Sequence, residues 1–563
     1  MNYIQLAKEQ IAALTESAYQ TAVQAGALPQ GEDLSFPVEI PRDVSHGDYS
    51  CTFAMAAAKK LHMAPRKIAE AVCANLTLDG TYFASVEIAG AGFINFRLGT
   101  RWFQEVLSAI EREGADFAKT SGYAGQKVMV EFVSANPTGP MHMGNARGGV
   151  LGDCLASVLE LSGAEVTREF LINDAGNQVD NFGRSLEARF LQLYPETADT
   201  PFPEDGYHGD DIRELAAAFK EAHGAEYHDA PSAERRNALI QFGLGHNIPK
   251  MKRDLARYGI QYDVWFSETM LHESGAVRDT VDMLTEKGYT YEKDGAVWLR
   301  TTQFGCEKDD VLRRANGFYT YFAVDIAYHR NKFLERGFDK VINVWGADHH
   351  GHVARLKAGC AAIGIDPERL EIVLMQFVNL MRNGEIVRMS KRTGKTISLS
   401  DLLDEISVDA ARFFFNMRQP DTLIDFDLDL AVRQDSENPV YYVQYAHARI
   451  CSLIKTLAGD GVTVPTAADA KFALLTAPEE MALMKKLAAL PDDIAGAARD
   501  RDPSRVNKYL IETAGDFHRF YNACHIRGAE PELLAARLKL AAATRDILAM
   551  ALAVIGVTAP ESM

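Results

Sequence analysis

Between residues 128 and 163 the hydrophobic pattern changes its period, and that change constrains the fold more than any other feature of the chain. Val128, Val130 and Phe132 alternate as in a strand. Val150, Leu151, Cys154, Leu155, Val158 and Leu159 recur at helical spacing, with Gly163 placed as a C-terminal stop. Asn136-Pro137-Thr138-Gly139-Pro140, between them, has the chemistry of a loop. Strand, loop and helix in this order open a parallel sheet. Strand-like runs return at 341–345 and 372–377, each beside helical sequence. The expected core is therefore an α/β, Rossmann-type doubly wound sheet.

A chain of 563 residues exceeds one hydrophobic core, so about three to five domains are expected. Residues 1–118 read as an N-terminal α+β module, with an amphipathic opening helix (Ile4, Leu6, Ile11, Leu14) and a strand pair around Gly90 and Gly92. The Rossmann-type α/β domain is placed at 119–385, interrupted by a polar insertion at about 175–300. A signature-loop and connective region follows at 386–435, then an all-α helical bundle at 436–563. Residues 1–10 carry Lys8 and Glu9 and lack an apolar h-region, so secretion is not expected. The apolar stretch 547–559 is too short to span a bilayer and reads as a core helix. Seven cysteines without a C-x-x-C pair fit reduced thiols and a cytoplasmic protein. A net charge of −18 alone argues against a nucleic-acid partner, but phosphate binding needs only a local basic surface.

Two constellations carry chemistry. In the first, Glu131-Phe-Val-Ser-Ala-Asn-Pro-Thr-Gly-Pro-Met-His-Met-Gly-Asn-Ala-Arg147, a loop meets a helix N-terminus, where free amides and the helix dipole favour anions. Gly144 lets a flat base approach the backbone, and His142 can donate to charge developing on phosphate. In the second, Arg388-Met389-Ser390-Lys391-Arg392-Thr393-Gly394-Lys395 reads as a basic loop for a polyphosphate. It is not a P-loop, because Met389 stands where the first glycine is required.

Together these resemble the HIGH and KMSKS motifs of class I aminoacyl-tRNA synthetases, as His142-Met143-Gly144-Asn145 and Arg388-Met389-Ser390-Lys391-Arg392. Asn145, Arg388 and Arg392 depart from the consensus; the Asn145 amide still donates, and Arg388 keeps its charge with a different fork geometry. The arginyl branch is indicated by residues 130–140, by Tyr319-Thr-Tyr-Phe-Ala-Val-Asp-Ile-Ala-Tyr328 and by Trp345-Gly-Ala-Asp-His-His-Gly-His352. Val408-Asp-Ala-Ala-Arg-Phe-Phe-Phe415 and Tyr442-Val-Gln-Tyr-Ala-His-Ala-Arg449 also match it, and His46-Gly-Asp-Tyr-Ser50 is similar to the family's extra N-terminal domain. The resemblance spans the chain in order.

It implies ATP-dependent activation of L-arginine and transfer to tRNA(Arg), with ATP entering as its Mg2+ complex and no tightly bound cofactor or metal. It also implies a monomer, and activation that depends on bound tRNA. His142, Asn145 and Lys391 are implied as catalytic, and Gly144, Arg388, Met389 and Ser390 as further ATP contacts. Ser134, Asn136, Asn145 and His349 match positions holding the backbone end of arginine; Tyr321, Asp325 and Glu268 match those holding its side chain. The chemistry of Asp325 agrees. It lies among Phe322, Val324, Ile326 and Ala327, where an unpaired carboxylate is costly and a guanidinium is its natural partner. By spacing alone an internal salt bridge, to Arg330 for example, is equally compatible, and the resemblance decides for the ligand.

For tRNA, Tyr441, Tyr442, Tyr445 and Arg449 form one basic–aromatic face and Arg519, Tyr521, Asn522 and Arg527 another. Lys59, Lys60, Arg66 and Lys67 are weaker candidates on the N-terminal module. Asp348, His349, His350 and His352 invite a zinc reading, which the resemblance opposes. Two other functions fit parts of the pattern. A synthetase for another amino acid conflicts with the acidic pocket, and a silent tRNA-binding paralogue conflicts with the retained His142, Gly144, Ser390 and Lys391.

Overall fold

The structure is a computed structural model that describes residues 2–32, 34–387 and 397–563. At its centre lies a five-stranded sheet, parallel at every pairing. Its strands are β1 (Lys127–Glu131), β2 (Glu165–Ile172), β3 (Val264–Ser267), β4 (Lys340–Gly346) and β5 (Leu370–Met375). Their spatial order is β5-β4-β1-β2-β3, so the chain reverses direction between β1 and β4. A crevice outside the carboxyl ends of these two strands is where a doubly wound sheet binds ligands.

The alternation seen in β1 is half of its pattern. Val128, Val130 and Phe132 pack into one hydrophobic core, whereas Met129 packs with Val341 into another on the opposite face. A central parallel strand is covered on both sides, so it is apolar on both. The segment expected to be a single insertion, 175–300, also supplies β3. Val264, Trp265, Phe266 and Ser267 are all only partly buried, and so short a strand shows no usable period.

Helix α1 (Met143–Leu161) follows β1. A Cβ on Gly152 would lie 2.1 Å from Cγ of Phe132, so only glycine lets this helix settle so close to the end of β1. Arg147, fully buried in the same helix, donates to the carbonyls of Gln376, Gln419 and Thr422 at 2.6, 3.0 and 2.8 Å. It thereby ties α1 to the small sheet formed by Val378–Arg382, Glu385–Ile386 and Ile424–Asp427.

The N-terminal module has a four-stranded antiparallel sheet with the helices Tyr3–Gln24, Phe53–Leu61 and Pro65–Cys73. The C-terminal region packs Pro439–Gly459, Pro478–Ala488, Leu490–Asp500, Ser504–Ala523 and Pro531–Val554 as a helical bundle. Arg412, also fully buried, joins three parts of the molecule. It donates to the carbonyls of Ile555 (2.8 Å) and Tyr258 (3.1 Å) and pairs with Asp153 of α1. Among the described residues no helix is long and apolar enough to cross a membrane.

Candidate active site

The loop after β1 enters α1 through a reciprocal cap. His142 is the N-cap, and its Nδ1 accepts from the Gly144 amide at 3.1 Å. Its own amide donates to Oδ1 of Asn145 at 2.9 Å. Because Nδ1 is an acceptor, the neutral ring carries its proton on Nε2, as a donor. Desolvation lowers the imidazole pKa, which favours that neutral form. Asn145, with Oδ1 engaged, keeps its Nδ2 hydrogens for a ligand. Gly144 has a reason that the sequence did not show: a Cβ there would meet Cε1 of His142 at 2.9 Å. It makes room for the capping imidazole as well as for any base.

Behind the signature loop, Ser398 forms an isolated antiparallel bridge with His142, and the Leu399 amide donates to the Met141 carbonyl at 2.9 Å. The chain that leaves the second constellation is therefore fastened to the first. Arg388, Met389, Ser390 and Lys391 themselves lie outside the described residues.

A small pocket is lined by Glu268, Tyr321, Asp325, Tyr328, Asn173 and Leu171. Tyr321 and Asp325 are one helical turn apart on α2 (Tyr321–Arg330), and both face it. Among the described residues the Asp325 carboxylate has no hydrogen-bond or ion-pair partner. The internal salt bridge is not formed, since Arg330 lies 3.8 Å from Glu335 instead. Burial, and then the charges of Glu268 and Glu131, push the Asp325 carboxyl up to about 7. The Tyr321 hydroxyl accepts from the Asn177 amide at 3.2 Å, which anchors the pocket rim.

Under this pocket lies a polar layer in which Ser134, expected from the sequence, meets Glu131 and Lys332, to which the sequence assigned no role. Ser134 Oγ donates to Glu131 Oε1 at 3.0 Å and accepts from the Leu171 amide at 3.1 Å. Val133 and Ser134 both adopt positive φ, +67° and +40°, an uncommon conformation held by these bonds. Glu131 pairs with the fully buried Lys332, which lies in a π-helical turn, Asn331–Glu335, directly after α2. Glu131 was visible as a carboxylate ending an apolar strand. Lys332 gave no signal, because a π turn breaks helical spacing.

The remaining site residues are more dispersed. Asn136 is exposed and donates to Gln178 at 2.5 Å. His349 stands beyond β4, exposed, 3.6 Å from Asp348 and beside the rings of Trp345 and His352. It does not line the pocket.

In the bundle the two aromatic faces become one. Tyr441 and Tyr445 stack with an interplanar angle of 7°, and Tyr445 continues onto His518. The Arg449 guanidinium lies 4.0 Å from the centre of the Tyr521 ring. Arg519 pairs with Asp516, and Asn522 is exposed. On the N-terminal module, Arg66 is held by Glu70 at 3.3 Å, and Lys60 donates to the Glu32 carbonyl at 3.2 Å.

Comparison with known proteins accounts for nearly the whole chain. Residues 5–98 match the arginyl tRNA synthetase N terminal domain, 107–435 the catalytic domain of class I (R) tRNA synthetases, and 443–563 the DALR anticodon binding domain. The arginine–tRNA ligase of Caldanaerobacter subterraneus subsp. tengcongensis is 55% identical over 562 residues, covering 100% of both chains. That of Acetivibrio thermocellus is 52% identical over 562 residues, again 100% of both. The Thermus thermophilus arginyl-tRNA synthetase structure shares the fold, with a TM-score of 0.73 at 23% identity over 98% of this chain and 100% of that one.

Proposed function

The chain belongs to the arginyl-tRNA synthetase family, and on that footing we propose how its residues divide the work of the reaction. The activity is that of an arginine–tRNA ligase, which uses ATP to join arginine to tRNA(Arg). The observation that carries the residue assignment is Asp325, a carboxylate with no ion-pair partner among the described residues, in an acidic pocket at the carboxyl ends of β2 and β3.

In this reading Asp325, Glu268 and Tyr321 receive the guanidinium. A planar fork can donate two parallel hydrogen bonds to a carboxylate, whereas the ammonium of lysine cannot. Ser134, Asn136, Asn145 and His349 hold the α-amino and carboxylate end. The arginine carboxylate attacks the α-phosphate of ATP, which arrives with Mg2+ as the substrate complex, and pyrophosphate leaves. His142, through Nε2–H, and Lys391 stabilise charge on the departing pyrophosphate; Gly144, Asn145, Arg388, Met389 and Ser390 position the nucleotide. A ribose hydroxyl at the tRNA terminus then attacks the activated carbonyl, and AMP is released. Positioning and electrostatic stabilisation are the whole of the protein's contribution.

The tRNA contacts are assigned to Tyr441, Tyr445, Arg449, Arg519, Tyr521 and Asn522, whose rings and guanidinium groups suit unstacked bases. We assign the protein to the cytoplasm, as a monomer. The test is charging of tRNA(Arg) with labelled arginine against lysine, alongside ATP–pyrophosphate exchange with and without tRNA. Exchange is expected only with tRNA, and Asp325→Asn is expected to abolish arginine-dependent charging. Undiminished charging by that variant overturns the pocket assignment.

A further inference from the structure

Resting on the reading that Ser134 and Asp325 hold opposite ends of arginine, we propose that Lys332 is a positioning residue that fixes the spacing between those ends and thereby the length of amino acid accepted. Lys332 is 0% exposed, and its polar neighbours Asn343, His329 and Glu131 are 1%, 2% and 6% exposed. Glu131 and Asn343 are direct cross-strand partners on β1 and β4, the two strands that flank the point where the sheet reverses. The Lys332 ammonium binds both, pairing with Glu131 and donating to Oδ1 of Asn343 at 3.3 Å. It thus joins the two strands at the floor of the crevice.

From this ammonium a chain of hydrogen bonds leads to each end of the pocket. On one side Glu131 accepts from Ser134 Oγ at 3.0 Å, and the Asn173 amide nitrogen donates to the Ser134 carbonyl at 2.9 Å. On the other, Asn343 Nδ2 donates to His329 Nε2 at 3.0 Å, and His329 Nδ1 donates to the Asp325 carbonyl at 2.8 Å. Only one arrangement of protons satisfies the second arm, with a neutral His329 protonated on Nδ1. Burial holds His329 well below its ordinary pKa, which keeps it so. The ammonium also lies 4.1 Å from the centre of the Tyr328 ring, and Tyr328 lines the pocket.

A buried polar network with every bond made is rigid and defines a single geometry. Here it connects a strained loop, Val133–Ser134, to the helix that carries Asp325. Neither end can move alone to accommodate a guanidino acid one methylene longer or shorter. A hydrophobic wall discriminates a single methylene by about 10- to 200-fold at best. A fixed distance between two charged ends adds to that, since a wrong-length ligand leaves one end unpaired.

The experiment compares charging of arginine, homoarginine and norarginine by the wild type, by the charge-neutral pair Glu131→Gln/Lys332→Met, and by the milder Asn343→Ala, which keeps the ion pair. Expected for the pair is a rise of about tenfold or more in KM for arginine, with KM for ATP within about twofold. The preference for arginine over both homologues should narrow by about tenfold. Asn343→Ala should move the same two quantities less, and it carries the test if the paired variant does not fold. An arginine KM that rises while the preference stays intact reduces Lys332 to a structural residue and overturns the proposal. So does an unchanged arginine KM. Asp325→Asn and Ser134→Ala separate the two levels: if they leave arginine KM unaltered, the underlying pocket reading has failed, whereas effects confined to them defeat only the role of Lys332.

Discussion

The carboxylates at the carboxyl end of the central sheet fall into two kinds. Glu131 and Glu169, beneath the pocket, are buried and fully partnered: Glu131 by Lys332 and Ser134, Glu169 by Arg336 at 2.5 Å and by the Tyr328 hydroxyl. Asp325, in the pocket itself, has no ion-pair partner among the described residues, and Arg355 and Lys332 act on it only at longer range. The first kind belongs to the scaffold, where breaking one half of a pair strands the other half in a low dielectric. The second is a cost that the protein retains until a ligand supplies the positive charge. Fold and function have been assigned separate acids that feel one another's charge, and substitutions should separate them.

The largest effect is expected at Asp325. Asp325→Asn should lower kcat/KM for arginine on the order of a thousandfold, the scale of losing one side of a buried charged pair. Stability should move the other way. The folded carboxyl titrates near 7, above its ordinary value of 3.8, so as pH rises through this interval the unfolded chain ionises first. Wild-type stability is therefore lost between about pH 4 and 7, by up to about 4 kcal/mol, and the deficit is complete above pH 7. The asparagine variant should be the more stable protein at pH 8, with the difference vanishing towards pH 4. Denaturant unfolding at the two pH values decides it, and a variant destabilised at pH 8 contradicts the account.

Arg336→Met should do the reverse. It leaves Glu169 with the Tyr328 hydroxyl alone, and a loss of about 3 kcal/mol is expected, the lower end for a broken buried pair because Arg336 retains some solvent contact. Arginine KM should change by less than about threefold, since Arg336 does not line the pocket. Unfolding and charging measured on one preparation test both halves, and an unaffected stability would merge the two kinds of carboxylate.

These two acids also mark how far the sequence could be read. His142, Gly144 and Asp325 were legible because their signals are local: a helix N-terminus and a charge amid apolar neighbours. That Gly144 clears the His142 ring, or that Glu131 is claimed by a lysine 201 residues later, depends on tertiary geometry that no spacing encodes. Strand β3 was absorbed into the insertion because its residues neither alternate in burial nor run long enough to be recognised. Resemblance alone supplied Glu268 and, with Tyr321, decided between a ligand and an internal salt bridge for Asp325; the pocket brings the three together. For Arg388, Met389, Ser390 and Lys391 the sequence remains the whole of the argument.

A third prediction concerns protons. Free Asp325 is largely protonated below about pH 7, whereas a bound guanidinium requires the carboxylate, so binding at low pH must release a proton. Arginine affinity should fall roughly tenfold per pH unit below about 7 and level off above it. Titration calorimetry in buffers of different ionisation enthalpy should show close to one proton released at pH 6 and almost none at pH 8.5. A pH-independent affinity would mean that the pocket acid is already ionised, and the distinction between the two kinds of carboxylate would lose its basis.

The smallest effect is expected at Arg330, and it is informative for that reason. This arginine ends the helix that carries Asp325 and was the internal partner that spacing allowed. It instead lies 3.8 Å from Glu335, both side chains partly in solvent. An ion pair of that kind contributes about 0–1 kcal/mol, so Arg330→Ala should leave both stability and arginine KM nearly unchanged. Were Arg330 to visit Asp325 in the free enzyme, its removal would eliminate a competitor for the pocket. Arginine KM would then fall, and the proton-release midpoint would move upward for want of a cation. Measuring both on the alanine variant tests whether the carboxylate is vacant before the substrate arrives, which is the condition that distinguishes a recognition acid from a structural one.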